Sequence, residues 1–159
     1  SMIYKEWKEN RMKLDDDTVQ VAVKLWCNDR GCCIDSAYGH ITLWDTQLVT
    51  DTGRMFHGKM EFNDDISLWD VSNVENMEFM FGNATSFNQP LVRWDVSVVE
   101  NMYGMFCGAT SFNQPLDRWD VSSVRDMGYM FWEARSFNQP LEEWDVSSVK
   151  DMGEMFSDA

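Results

Sequence analysis

Histidine, proline and cysteine are all scarce: the 159 residues include two His, three Pro and four Cys. His40 and His57 alone leave too little imidazole for a Ser-His-Asp triad or a histidine-built metal centre. Positive charge is scarce too, with 13 Lys and Arg against 27 Asp and Glu, for a net charge of -14. Such a field repels phosphate backbones and anionic lipid, so nucleic acid is not an expected partner. No apolar run reaches the roughly 18 residues of a spanning helix, so no membrane insertion is expected. The opening Ser1-Met2-Ile3-Tyr4-Lys5-Glu6-Trp7 lacks the apolar core of a signal peptide. Taking Met2 as a native start predicts a cytoplasmic location. Phosphate loops, dinucleotide fingerprints and nucleophile elbows are missing as well. The expectation is therefore a non-enzyme, with no catalytic residue, no cofactor and no metal.

What the chain does have is a period of 25. Trp44, Trp69, Trp94, Trp119 and Trp144 recur at that step, and an Asp follows each: Asp45, Asp70, Asp95, Asp120 and Asp145. Met55, Met80, Met105, Met130 and Met155 keep the same step, each followed by Phe: Phe56, Phe81, Phe106, Phe131 and Phe156. So do Phe62, Phe87, Phe112 and Phe137, each followed by Asn: Asn63, Asn88, Asn113 and Asn138. Gln-Pro-Leu at 89–91, 114–116 and 139–141 uses every proline in the chain. The copies loosen toward the N-terminus, where Asp64-Asp65-Ile66 replaces Gln-Pro-Leu and Thr52 stands where Met is expected. The last copy stops at Ala159, before its final Ser, which predicts further copies in the natural protein.

Identical side chains at a fixed step are expected to stack on their counterparts and form the core. Val124, Met127, Met130, Phe131 and Ala134 fall on one face of a short helix predicted over 122–134. Proline keeps the next stretch out of a helix, so a short strand is predicted over 112–116, or alternatively over 119–121. The predicted fold class is thus an α/β repeat solenoid, leucine-rich-repeat-like, with a short strand and a short helix per coil. Residues 2–43 lie outside the repeat and read as an N-terminal helical cap, with 44–159 as about five coils. Within the cap, a helix is predicted over 18–27. Asp15, Asp16 and Asp17 precede it, and Val19, Ala22, Val23 and Trp26 form its apolar face.

The repeat W-D-V-S-x-V-x-x-M-x-x-M-F-x-x-A-x-S-F-N-Q-P-L resembles that of the BspA-like leucine-rich-repeat surface proteins, a bacterial lipoprotein type of unknown function. The likeness covers about residues 41–159. The stretch Ala22-Val23-Lys24-Leu25-Trp26 with Tyr38-Gly39-His40-Ile41 also resembles the leader of such repeats. The resemblance implies a cell-surface location and a role in adhesion or protein binding, and brings no catalytic residues.

Several groups are candidates for chemistry. The carboxylates Asp70, Asp95, Asp120 and Asp145 stack in one column, which suggests either a calcium-stabilised repeat or carboxylates satisfied by local N–H and Ser groups. The second reading is favoured, because a D-x-S turn recurs and a glycine-rich calcium loop does not. The Asn63, Asn88, Asn113, Asn138 column predicts mutually bonded amides. Cys27, Cys32 and Cys33 with His40 match no common zinc spacing. Function is best sought at positions that stacking does not dictate. Phe79, Tyr103, Tyr129 and Trp132 form the predicted binding face, and Ser67-Leu68, Val92-Arg93, Asp117-Arg118 and Glu142-Glu143 a second variable strip. The expected function is a non-enzymatic scaffold that binds a protein through one face, with a glycan- or matrix-binding adhesin as the alternative.

Overall fold

The structure, a computed structural model, describes residues 13–28 and 38–159. One α-helix, α1, spans Asp16–Asn28 and contains the predicted 18–27. Asp15 caps it: its Oδ1 accepts the Thr18 N–H at 2.9 Å while its own N–H donates to Thr18 Oγ1 at 2.9 Å. Val19, Ala22, Val23 and Trp26 are buried against the rest of the chain. The Asp16 carboxylate accepts the N–H groups of Thr50 and Asp51 at 2.7 and 3.0 Å, and the Thr50 hydroxyl at 2.7 Å. The Trp26 ring meets that of Trp44 at 6.2 Å, and its Nε1–H donates to Asp64 at 2.9 Å. A single 3-10 turn, Ile41–Leu43, leads into the repeats.

Beyond that turn the predicted strand-plus-helix coil is not what forms. Neither the helix over 122–134 nor a strand over 112–116 or 119–121 is present. The repeats are successive tiers of turns and extended segments, joined by one-residue parallel bridges at Asp51, Asn76, Asn101, Asp126 and Asp151. The chain is therefore not an α/β repeat solenoid of leucine-rich-repeat type.

The reason lies in where the backbone N–H groups go. Those of Met77, Phe79, Phe81 and Asn83 donate to the next tier, to the carbonyls of Asn101, Tyr103, Met105 and Cys107, at 2.7–2.9 Å. The N–H groups between them, of Met80, Gly82 and Ala84, close turns on Met77, Phe79 and Phe81 at 3.0–3.1 Å. A helix would send every one of these groups to the residue four back. The pattern repeats in the adjoining tiers, where Met102, Gly104, Phe106 and Gly108 donate to Asp126, Gly128, Met130 and Trp132. It also needs left-handed residues within each tier, such as Phe79 (φ 48) and Asn83 (φ 57), or Tyr129 (φ 56) and Glu133 (φ 52). A right-handed helix cannot pass through such residues.

The predicted inward set is nonetheless the buried one: Val124, Met127, Met130, Phe131 and Ala134 are all in the core. Consecutive turns return the chain to the same side about every third residue, so they fill the same face. Two phenylalanine columns run through the stack. Phe106 lies 4.0 Å from Phe112 within its tier and 5.6 Å from both Phe81 and Phe131 in the tiers on either side.

Tryptophan behaves differently from the expected ring-on-ring column. Trp44 does stack on Trp69 at 5.9 Å, but Trp94 and Trp119 pack beside Phe81 and Phe106 at 6.2 and 6.4 Å. What repeats is a hydrogen bond. The indole N–H groups of Trp69, Trp94, Trp119 and Trp144 donate to the carbonyls of Ile41, Ile66, Leu91 and Leu116 at 2.9–3.2 Å. At the C-terminal tier Met152 and Phe156 are 49% and 51% exposed, where their counterparts Met127 and Phe131 are at 0%.

Trp119 should therefore matter twice. Trp119→Ala is expected to cost about 3–5 kcal/mol through lost packing. Trp119→Phe keeps a ring but removes one of the two donors to the buried Leu91 carbonyl, which still accepts the Trp94 N–H at 3.0 Å, for an expected cost of about 0.5–1.5 kcal/mol. Urea denaturation of both variants checks this, and a Trp119→Phe protein as stable as the parent would remove the bond from the account.

Candidate functional site

The repeating polar columns are consumed by the fold. Asp70, Asp95 and Asp120 each accept the N–H and hydroxyl of the Ser two residues on, at 3.1 Å and 2.6–2.7 Å, and Asp145 accepts the Ser147 N–H at 3.0 Å. The Ser122 hydroxyl and N–H hold the Asp120 carboxyl below its ordinary value of 3.8, and Ser147 does the same for Asp145. The Asn column bonds across tiers, but not from one Asn side chain to the next. Asn88 Oδ1 accepts the Asn113 N–H at 3.0 Å and the Gln114 side-chain amide at 3.0 Å, and Asn113 Oδ1 repeats this with Asn138 and Gln139. The expected mutual amide stack is thus an Asn–backbone–Gln clamp.

A second column of this kind carried no obvious sequence signal. Asp51, Asn76, Asn101, Asp126 and Asp151 each accept, through Oδ1, the N–H two residues on, at 2.7–3.0 Å. Both Asp and Asn occur there because either side-chain oxygen can close that local turn. Among the described residues no group of three or more His, Cys, Asp or Glu side chains could hold a metal ion. Cys32 and Cys33 lie outside the described residues.

Two strips vary from tier to tier, and one of them is aromatic. The predicted face places Phe79, Tyr103 and Tyr129 in one continuous file. Phe79 meets Tyr103 edge-on at 5.3 Å, and Tyr103 meets Tyr129 at 5.6 Å. His57 extends the file below, 5.6 Å from Phe79. Tyr129 is 36% exposed, while Phe79 and Tyr103 are half-buried. Trp132 is half-buried in the tier of Tyr129, and among the described residues no ring contact joins it to the file. Its placement as an outward neighbour of Tyr129 depended on a helix that does not form. Its counterpart one tier earlier, Cys107, is a buried free thiol whose pKa is pushed up by burial and then by Glu133. The second variable strip is laid out along tight turns, with Leu68, Arg93, Arg118 and Glu143 all exposed and mixed in character.

Glycines seat the aromatic file. A Cβ on Gly104 would lie 2.4 Å from the Phe79 ring, and one on Gly128 would lie 3.1 Å from the Tyr103 ring and 3.4 Å from Asp126 Oδ1. The rings of one tier thus lie over missing side chains of the next. Charge frames them. Burial raises the Tyr103 pKa first, and Tyr129, Asp126 and Asp151 raise it further. Arg54, which the sequence reading passed over, places its guanidinium 4.9 Å from the Phe79 ring centre and 2.6 Å from Glu78. Its position was readable as the residue one period before Phe79.

The model of a family described as "Mycoplasma protein of unknown function, DUF285" matches residues 32–123 and 91–159. No curated protein and no solved structure matches the chain.

Two outcomes are expected. Since the folded Asp120 pKa is lowered, its bonds to Ser122 stabilise the fold above the ordinary 3.8 and are lost as pH falls through the depressed value. An NMR carboxyl titration should show Asp120 below 3.8 in the parent and higher in Ser122→Ala. Gly104→Ala should dislodge the Phe79 ring and cost about 1–3 kcal/mol, read from thermal melts and the Phe79 ring shifts.

Proposed function

This chain belongs to the family described as "Mycoplasma protein of unknown function, DUF285", and we propose that it is a non-enzymatic repeat scaffold that binds a protein through the Phe79–Tyr103–Tyr129 edge. The observation that supports this is the contrast between columns. Inner columns repeat one residue type because neighbouring tiers must stack. The column of Arg54, Phe79, Gly104, Tyr129 and Glu154 changes residue in every tier, and Tyr103 of the adjoining column joins its rings Phe79 and Tyr129 into one file of contacts. Tyrosine offers a large, rigid contact with a polar tip, which suits a protein-binding anchor.

The resemblance to BspA-like surface proteins makes the cell surface the proposed setting. No helix among the described residues is long and apolar enough to cross a membrane.

The test is affinity capture from source-cell extract, with mass spectrometry. The baits are the parent chain and Tyr129→Ala, both verified as folded by circular dichroism. A protein retained by the parent and lost from Tyr129→Ala is the expected result. Identical captures on both baits would remove this edge as the site. A glycan array that lights up for the parent and not the variant would replace the protein reading with a carbohydrate one.

A further inference from the structure

The aromatic edge already holds one guanidinium of its own. Arg54 lies over the Phe79 ring at 4.9 Å and pairs with Glu78 at 2.6 Å, so ring and carboxylate grip one cation together. This is the arrangement in which an arginine gains from both an aromatic face and a charged partner.

Two tiers along the same column a ring recurs without the cation, and the carboxylates near it, Asp126 and Asp151, come from another column, since Gly128 stands where Glu78 stood. Tyr129 stands where Phe79 stood, and Gly104 stands where Arg54 stood, so the preceding tier offers no guanidinium to the ring. A Cβ on Gly128 would lie 3.1 Å from the Tyr103 ring and 3.4 Å from Asp126 Oδ1, so that carboxylate borders the ring, and Asp151 is paired with Asp126 by a parallel bridge. Both carboxylates raise the Tyr103 pKa, after burial and Tyr129. Among the described residues, the ion pairs are Arg54–Glu78, Arg125–Glu100 and Arg135–Glu133, and none of them engages Asp126 or Asp151. Both carboxylates accept one short backbone bond, from Gly128 and Gly153, at 3.0 and 2.7 Å. Each has a further oxygen to offer a donor.

We propose that the Tyr103–Tyr129 end of the edge binds an arginine side chain of a basic partner segment, with the rings as its platform and Asp126 and Asp151 as its counter-charges. The inference rests on the protein-binding reading above and deepens it by naming the partner's chemistry. The net charge of -14 steers such a segment toward the chain. The rings and the two carboxylates would then select arginine from among cations.

The experiment is calorimetric titration of the full chain with hexa-arginine and with hexa-lysine at physiological salt. Lysine carries the same charge without the planar guanidinium, so it reports steering alone. Hexa-arginine is expected to bind about three- to tenfold more tightly than hexa-lysine. Tyr103→Leu/Tyr129→Leu should abolish that preference while leaving hexa-lysine unchanged. Asp126→Asn/Asp151→Asn should weaken hexa-arginine by a similar factor. This pair keeps the fold, because Asn76 and Asn101 already close the same turn in that column.

Equal affinity for the two peptides, or a preference that survives removal of both rings, would overturn the arginine assignment. Those outcomes leave the protein-binding reading standing if Tyr129→Ala still loses a captured partner. If that capture is unchanged, the edge itself falls.

Discussion

Everything in this chain depends on backbone N–H groups that leave their own tier. At alternate residues they reach carbonyls one period ahead, and the residues between them close turns. Once that pairing is set, side chains at a step of 25 must superpose. Superposition fixes the chemistry of each column. Phenylalanine can stack at 5.6 Å, whereas a column of bare carboxylates would repel and so recruits serine beside each one. α1 meets the same demand at the N-terminal side, where the Asp16 carboxylate answers the N–H groups of Thr50 and Asp51.

The period, the buried columns and the N-terminal helix were legible because they rest on side-chain type. Val124, Met127, Met130 and Phe131 are in the core as their spacing predicts. The secondary structure was not legible, because a run of turns and a short helix bury the same positions. The feature that separates them is a left-handed backbone, and its usual marker is glycine. Here that marker is diluted. The column that holds Gly104 in one tier holds Arg54, Phe79, Tyr129 and Glu154 in others, all at positive φ. The aspartates have the Ser and N–H partners that the spacing predicts, and the asparagines have different ones from those expected. Only coordinates show that Asn88 meets a backbone N–H and a glutamine amide.

The site was partly legible for a related reason. Departures from an otherwise strict repeat mark positions released from stacking, and Phe79, Tyr103 and Tyr129 were found that way. Trp132 was assigned by helical geometry and misplaced with it. Arg54, Asp126 and Asp151 were overlooked because single charged residues on an acidic chain look like solvated surface. Their meaning comes from the column they occupy and from the rings beside it.

The fixed step also governs how such a chain can change. One inserted or deleted residue would throw every later column out of line, pairing phenylalanine with serine or asparagine and tryptophan with arginine or aspartate. Removing residues 87–111 would instead bring Ser86 directly before Phe112 and restore each column to its own kind. Length is thus tolerated only in whole periods, and recombination between copies is the form of sequence drift least able to damage the core. The outer edge obeys no such rule. Exchanging tiers would shuffle arginine, phenylalanine, glycine and tyrosine along it, giving a new surface on an unaltered interior.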